Sequence, residues 1–425
     1  MTPSAKSTGQ TPEIHDIAVL GAGMVGMSSA QWLQKKGFSP VLIDQDQPGN
    51  GASYGNACTF ASYGCVPVNT PEILKMAPGL LFGKKSPLKI NWSCILQLSP
   101  WLFRFLMNCR PSQLNHIAES LARLLNISEQ SAMLLFDDAG IHSLINRRGC
   151  LYLYESERDF NKAAWDLELR RKNNVAMEIL DQGTVREMEP ELASIFYNAV
   201  HFPGAFNFID PRAVIQKMCA HFEDKGGSFV KAKVTTLSKS SDGVITVHLE
   251  DGQTLHCKQL VLALGAWSND LSGDLIEPMP LGCERGYHVV FHGQDKLLSR
   301  PIGWGAGGFY LTPMAEGLRA AGTVELGGMS AQKRLSTLEF MSSEARRILP
   351  ALKGNRDGDW LGFRPSFPDA LPVIGRSSRT PEIILAFGHQ HLGMTLGPVT
   401  GEIVADMARR HEPKIDITPY RSDRF

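Results

Sequence analysis

Gly21, Gly23 and Gly26 stand at the spacing G-x-G-x-x-G, and Asp44 follows 18 residues after the last of them. Residues of these types at this spacing bind a dinucleotide. Gly21 permits a tight turn. Gly23 lets the backbone approach a pyrophosphate, and Gly26 lets a helix pack closely on a strand. The amides around Ala22, Met24 and Val25 then meet phosphate at the positive end of that helix. Asp44, with Gln45 beside it, can accept hydrogen bonds from both ribose hydroxyls and repels a 2′-phosphate.

Two other groups of residues invite chemistry. Ser53 and Asn56 lie in a glycine-rich loop, residues 48–57, which ends at Ala57. They can donate to a phosphate or a ring, or the loop can be plain surface. His389 and His391 are two apart in the glycine-rich stretch 388–397. No third ligand is near in sequence, so no metal is expected. Hydrogen bonding to a ligand is the better use of two imidazoles.

The elements that must position these residues are legible as periodicity. Residues 17–20 and 41–43 are apolar runs that read as strands. Residues 24–36 between them are amphipathic, with Met27, Ala30 and Leu33 on one face. Residues 114–139 read as a long helix, and 149–154 as a strand. Residues 161–172 and 184–188 read as helices. Asp210 and Pro211 cap and open a helix that ends at Gly226. Strands are expected over 229–235, 244–249, 254–262 and 383–387, with strand-like sequence through 278–330. Helices are expected over 336–349 and after the loop 388–397.

Lys plus Arg number 43 and Asp plus Glu number 43, so no basic field offers itself to nucleic acid. The eight cysteines include no C-x-x-C. This argues against zinc and against a secreted disulfide framework, and predicts reduced thiols in the cytoplasm. Residues 1–14 lack the apolar core of a signal peptide. No apolar run reaches the ~18 residues of a membrane span. Residues 80–107, however, combine Trp, Leu and Phe with Lys84, Lys85, Lys89 and Arg104. This stretch is either a helical layer buried in the protein or a face for the cytoplasmic side of the inner membrane.

Four blocks in order, IAVLGAGMVGMSSAQWL with Asp44, LVLALGAW, GFRPSFPDALPVIG and GHQHLGMTLGPVTGE, resemble the D-amino-acid oxidase superfamily of flavoproteins. Within it the chain looks most like the bacterial D-amino-acid dehydrogenases, over roughly residues 14–412. The resemblance implies FAD and an α/β fold (α+β overall). It implies a Rossmann-like FAD-binding domain of the glutathione-reductase-like type, from residues 14–72, 203–275 and 355–425. An inserted antiparallel-sheet substrate domain would take 73–202 and 276–354, with an apolar helical insertion at about 75–140.

The resemblance also implies roles. Ser53, Asn56 and Ala57 would lie beside the isoalloxazine, and Val234, Gly265 and Trp267 would border the cofactor. Gly393, Met394, Thr395 and Leu396 would turn against the pyrimidine ring. Arg364, in G-F-R-P, would pair with a substrate carboxylate next to the flavin, and Tyr310 would stand near the same carboxylate. Tyr287, Arg285 and His391 would face the pocket. The expected reaction is oxidative deamination of a D-amino acid, by hydride passing from the α carbon to flavin N5, to the imine and then the 2-oxo acid. A quinone or another carrier would take the electrons. Glycine, sarcosine or D-hydroxyproline are alternative substrates, and a non-catalytic electron-transfer subunit is the alternative of another class. Nothing in the sequence opposes an oligomer.

Overall fold

The computed structural model describes residues 13–70, 88–90, 94–271, 273–329 and 332–425. The expected glycine turn joins the strand Ile14–Leu20 to the helix Met24–Lys35, and the strand Pro40–Asp44 follows. These strands centre an eight-stranded sheet. Ile14–Leu20 runs parallel to Pro40–Asp44 on one side and to Thr254–Leu262 on the other. Thr254–Leu262 is long enough to serve two partners. Its first half pairs antiparallel with Ile245–Leu249, and its second half parallel with Ile383–Phe387.

The expected strand over 229–235 is two strands, Ser228–Lys231 and Val234–Lys239. They lie at opposite ends of the strand order. Three residue steps reach at most about 11 Å, so the sheet must curl until its ends nearly meet. The curl sets Lys231 in register with Asp44 and lets the Ala232 amide donate to the Asp44 carbonyl at 2.8 Å. Val234 therefore arrives beside the acid of the glycine motif.

The helix Met24–Lys35 packs on the C-terminal helix Gly393–Ala408 at close range. A Cβ on Gly401 would lie 2.6 Å from the backbone of Ser28. Asp210 caps the helix Pro211–Asp224 as expected, accepting from the Ala213 amide at 2.9 Å. The helix expected over 161–172 is broken in two, Glu157–Lys162 and Ala164–Lys172.

A nine-stranded sheet forms the second layer. Its order runs Asp357–Ser366, Gly282–His292, Gly317–Leu326, Phe309–Met314, Ile302–Trp304, Cys150–Tyr154, Asn198–Phe202 and Glu178–Asp181, with Leu88–Ile90 beside Gly317–Leu326. All neighbours are antiparallel except Ile302–Trp304 with Cys150–Tyr154 and Leu88–Ile90 with Gly317–Leu326. The strand Asp357–Ser366, grouped by sequence with the nucleotide-binding segments, is hydrogen-bonded into this second sheet instead. One face of the sheet buries Leu151, Leu153, Tyr287, Val289, Leu311 and Leu318 against the helix Leu335–Ile348. Strand alternation then turns Tyr152, Tyr310, Ala321, Glu284 and Arg364 to the other face.

The helix Ile95–Met107 docks on the end of the strand that bears Arg364. Trp101 is buried and donates from its indole nitrogen to the Ser366 carbonyl at 3.1 Å. Of the two readings of this stretch, Trp101 fits the buried layer, since its N–H finds its acceptor inside the protein. Leu96, Phe103, Leu106 and Met107 are exposed on the same helix. Lys84 and Lys85 lie outside the described residues. No helix among the described residues is long and apolar enough to cross a membrane.

Candidate active site

Gly21 has a φ of +105°, which glycine adopts without penalty. A Cβ on Gly26 would lie 1.8 Å from the Gly21 carbonyl oxygen, and one on Gly21 would lie 2.4 Å from the Ala263 carbonyl oxygen, so the helix meets the turn, and the turn its neighbouring strand end, only because both residues lack a side chain. Met27 is the first amide satisfied within the helix, by the Gly23 carbonyl at 2.9 Å. The amides before it point out of the helix end. Ser53 Oγ takes one of them, Met24 N–H, at 3.0 Å, and keeps its own proton to donate.

Asp44 accepts from the Ala22 amide at 2.6 Å and from the Asp46 amide at 2.9 Å. Burial pushes its carboxyl above the usual range, and these amides pull it back. The Gln45 amide helps as well, and the remaining acceptor capacity suits ribose hydroxyls. Gly265, with a φ of +59°, opens the short helix Gly265–Leu271 after the neighbouring strand, and Trp267 in it packs its ring edge-on to Phe363 at 5.8 Å. Helix-end amides, a small-residue turn and a carboxylate with acceptor capacity to spare are groups suited to the pyrophosphate and ribose of a dinucleotide. A second helix N-terminus, at Gly393, Met394, Thr395 and Leu396, is tied to the first part of the chain. Thr395 Oγ1 accepts from the Ala61 amide at 2.9 Å.

The loop bearing Ser53, Asn56 and Ala57 is bolted to the second sheet. Thr312 Oγ1 donates to the Ala57 carbonyl at 2.8 Å, and Arg319 to the Tyr54 carbonyl at 2.7 Å. His288 Nδ1 lies 3.0 Å from the Gly55 carbonyl and must carry the proton there. Asn56 is committed to its own loop: its amide donates to the Ser53 carbonyl at 2.8 Å and its oxygen accepts from the Cys58 amide at 2.6 Å. The sequence suggested that Asn56 donates outward. The loop's need for internal hydrogen bonds uses those atoms instead.

Arg364 stands opposite Glu284 on the neighbouring strand. Its side chain reaches across Gly286 and donates to the carbonyls of Thr323 at 2.8 Å and Gly322 at 3.3 Å. A Cβ on Gly286 would fall 2.3 Å from Nη2, so the glycine makes the niche in which the guanidinium lies. Burial lowers the affinity of Arg364 for its proton and the Glu284 carboxylate restores part of it. Glu284 is buried, which pushes its carboxyl up while Arg364 pulls it down.

His391 carries accessible surface, yet its imidazole is pushed down to about 4, by burial first and then by the Arg364 charge. Both hold together if the ring faces an internal cleft beside Arg364. His389, by contrast, is buried and hydrogen-bonds Thr400 Oγ1 at 2.9 Å, anchoring the loop to its helix. Gln390 N–H donates to the Pro365 carbonyl at 2.9 Å, which joins that loop to the Arg364 strand. Tyr310 shares the Arg364 face and accepts a hydrogen bond from Tyr63 at 3.3 Å.

Arg285 and Tyr287 do not join this group. They lie out of phase with Glu284 and Arg364, on the opposite face, and both are buried. Glu325 takes Arg285 Nη1 at 3.1 Å, the Tyr287 hydroxyl, and Arg334 at 2.9 Å. Their expected place in the pocket is corrected by strand alternation, which a block of contiguous residues cannot escape. The sequence reading missed Gly286, Thr323 and Glu284. The alternation of Glu284, Gly286 and His288 along one strand hinted at the first and last of these, and nothing local hinted at Thr323.

A turn and acid suited to a dinucleotide, in one fold with the largely buried Arg364, are the parts of a dinucleotide-binding protein. The chain belongs to the FAD dependent oxidoreductase family, whose pattern matches residues 16–407, and its cofactor is FAD. It is similar to a D-amino-acid oxidase of Bradyrhizobium diazoefficiens, 33% identical over 97% of this chain and 100% of the relative. Its fold is shared with L-proline dehydrogenase from P. horikoshii, with a TM-score of 0.74 and 19% identity over 97% of this chain and 98% of that one. Glycine oxidase from Geobacillus kaustophilus has a TM-score of 0.72 and 21% identity over 97% and 99%. The protein is thus an FAD-dependent enzyme of amino-acid or amine oxidation.

Proposed function

We propose that the protein oxidises a D-amino acid to its imine, which water hydrolyses to the 2-oxo acid, and passes the electrons to a quinone or another carrier at a membrane surface. The observation that carries this is the Arg364 guanidinium, set in the Gly286 niche on the cleft face beside His391. A planar guanidinium suits a carboxylate because it offers parallel donors. Tyr310 still holds its own hydroxyl proton after accepting from Tyr63 and supplies a second donor. His391 is uncharged at neutral pH and can accept a hydrogen bond from a substrate amine. An amine with its lone pair free weakens the Cα–H bond, so the site needs no strong base. FAD, when bound, supplies the two-electron acceptor. The protein's part is to orient the substrate and keep water out.

D configuration is supported by the 33% identical relative, which is a D-amino-acid oxidase. The carrier reading is supported by the exposed Leu96, Phe103, Leu106 and Met107 on the helix Ile95–Met107. The name of that same relative favours a second reading, in which oxygen is the acceptor. The test is anaerobic bleaching of the flavin by single D- and L-amino acids, followed by admission of oxygen or a quinone analogue. Bleaching by D- but not L-forms is expected. A flavin that no D-amino acid bleaches would reject the reading and favour an electron-transfer subunit.

A further inference from the structure

We propose that the wall of the cleft beyond Tyr310 seats the substrate's side chain and selects a large aromatic ring. This rests on the reading above and names the substrate class for that site. The wall is built in one row across the second sheet. Gly322 and Thr323 hold Arg364, and their neighbour Ala321 is in register with Tyr310. Tyr310 is in register with Gly303, and Gly303 with Tyr152. Three strand spacings separate Ala321 from Tyr152, about 14 Å. An amino acid anchored on Arg364 and extended along this row passes Tyr310 and points at Tyr152. Tyr152 leans back over Gly303 to meet Tyr310, so a large ring anchored through Arg364 meets it while a methyl side chain stops short.

The chemistry of the row fits a ring. Tyr152 lies 6.3 Å from Tyr310, edge-on, and 5.6 Å from Tyr154, tilted. Such pairs leave ring faces and edges for another aromatic partner. Gly303 permits the convergence, since a Cβ there would come within 2.6 Å of Tyr152 and 2.7 Å of Tyr310. All three tyrosines keep accessible surface, although burial pushes their hydroxyls up. Arg364 and His391 keep accessible surface as well. Among the described residues the hydroxyls of Tyr152 and Tyr154 make no hydrogen bond, so they stand ready for a polar tip such as a phenol. Behind them Arg170 donates to the Tyr63 carbonyl at 3.3 Å and covers the Phe202 ring. At Tyr152 and Tyr154 the Arg170 charge is opposed by that of Asp166.

The experiment is steady-state kcat/KM of the holoenzyme with glycine, D-alanine, D-phenylalanine, D-tryptophan, D-glutamate and D-lysine. The two aromatic substrates should exceed D-alanine at least tenfold. Tyr152→Ala combined with Tyr154→Ala should lower that ratio at least tenfold, and Tyr152→Phe should preserve it. If the double variant does not retain flavin, Tyr154→Leu alone is read on the same ratio. Equal or better turnover of glycine, D-alanine, D-glutamate or D-lysine overturns the assignment, as does a ratio the variants leave unmoved. Loss of the size ratio alone removes only this pocket. Failure of every D-amino acid to turn over removes the reading beneath it as well.

Discussion

Arg364 donates from Nη1 to the carbonyl oxygen of Thr323 at 2.8 Å, and Thr323 is a β-branched residue with a φ of +56°. Such a residue in the left-handed region is strained by roughly 1–3 kcal/mol. It marks a bulge: pairing slips between Arg285–Glu325 and Tyr287–Gly322, so the strand Gly317–Leu326 carries one residue too many. The extra residue turns the Gly322 and Thr323 carbonyls toward the guanidinium. The Thr323 amide in turn donates to the Gly308 carbonyl at 2.6 Å. A bulge beside a site re-aims groups that a regular ladder would keep occupied.

Arg364→Lys should therefore raise the apparent substrate constant and leave the flavin spectrum intact. Losing a charge-assisted hydrogen bond costs about 1.5–3 kcal/mol, or about 10- to 150-fold in kcat/KM. Gly286→Ala should produce a loss of the same kind, because its Cβ would occupy the place of Nη2. Saturation kinetics unchanged in both variants would rule out the carboxylate role. Tyr310→Phe should cost less, as a neutral hydroxyl does.

Asp44→Ala should weaken FAD retention by about 1.5–3 kcal/mol, read as FAD released on dialysis. Gly26→Ala should do worse, because its Cβ meets backbone, which cannot swing away. Retention equal to wild type in both would contradict the placement of the adenosine half.

Arg285→Met should lower the melting temperature and leave KM for the amino acid unchanged. It strands the buried Glu325 carboxylate with fewer partners, a change that typically costs 3–5 kcal/mol. A raised KM without loss of stability would return Arg285 to the pocket.

Stability should fall as the pH drops below about 6.5. Burial pushes both His288 and His389 down to about 3, so the folded state stays neutral where the unfolded chain takes up protons. Each should cost about 2 kcal/mol between pH 7 and pH 5. The loss continues until the folded imidazoles titrate near pH 3. Urea midpoints across this range provide the measurement, and His389→Asn should flatten the slope. A midpoint independent of pH would refute the assignment.

Leu96→Ser with Phe103→Ser should reduce sedimentation with anionic liposomes at least tenfold, since burying one such side chain is worth roughly 1.5–3 kcal/mol. Quinone analogues should reoxidise the flavin faster than oxygen does. Protein left in the supernatant, together with rapid peroxide formation, would favour the oxidase reading.

The sequence by itself determined what depends on near neighbours. The turn of Gly21, Gly23 and Gly26, the reach to Asp44 and the cap at Asp210 are written within a few tens of residues, so periodicity and residue type suffice. The alternation Cys150-Leu-Tyr-Leu-Tyr likewise put Tyr152 and Tyr154 on one face before any partner was known. What Arg364 touches was decided elsewhere in the chain. Its niche is Gly286, its acceptors are on a bulge at Thr323, and its counter-charge is Glu284, each on another strand. Arg285 and Tyr287 went to the far face for the same reason, since one residue of phase in a strand reverses a side chain. Strand pairing between distant segments fixes register, and register, more than residue type, chose which side chains enter the cleft.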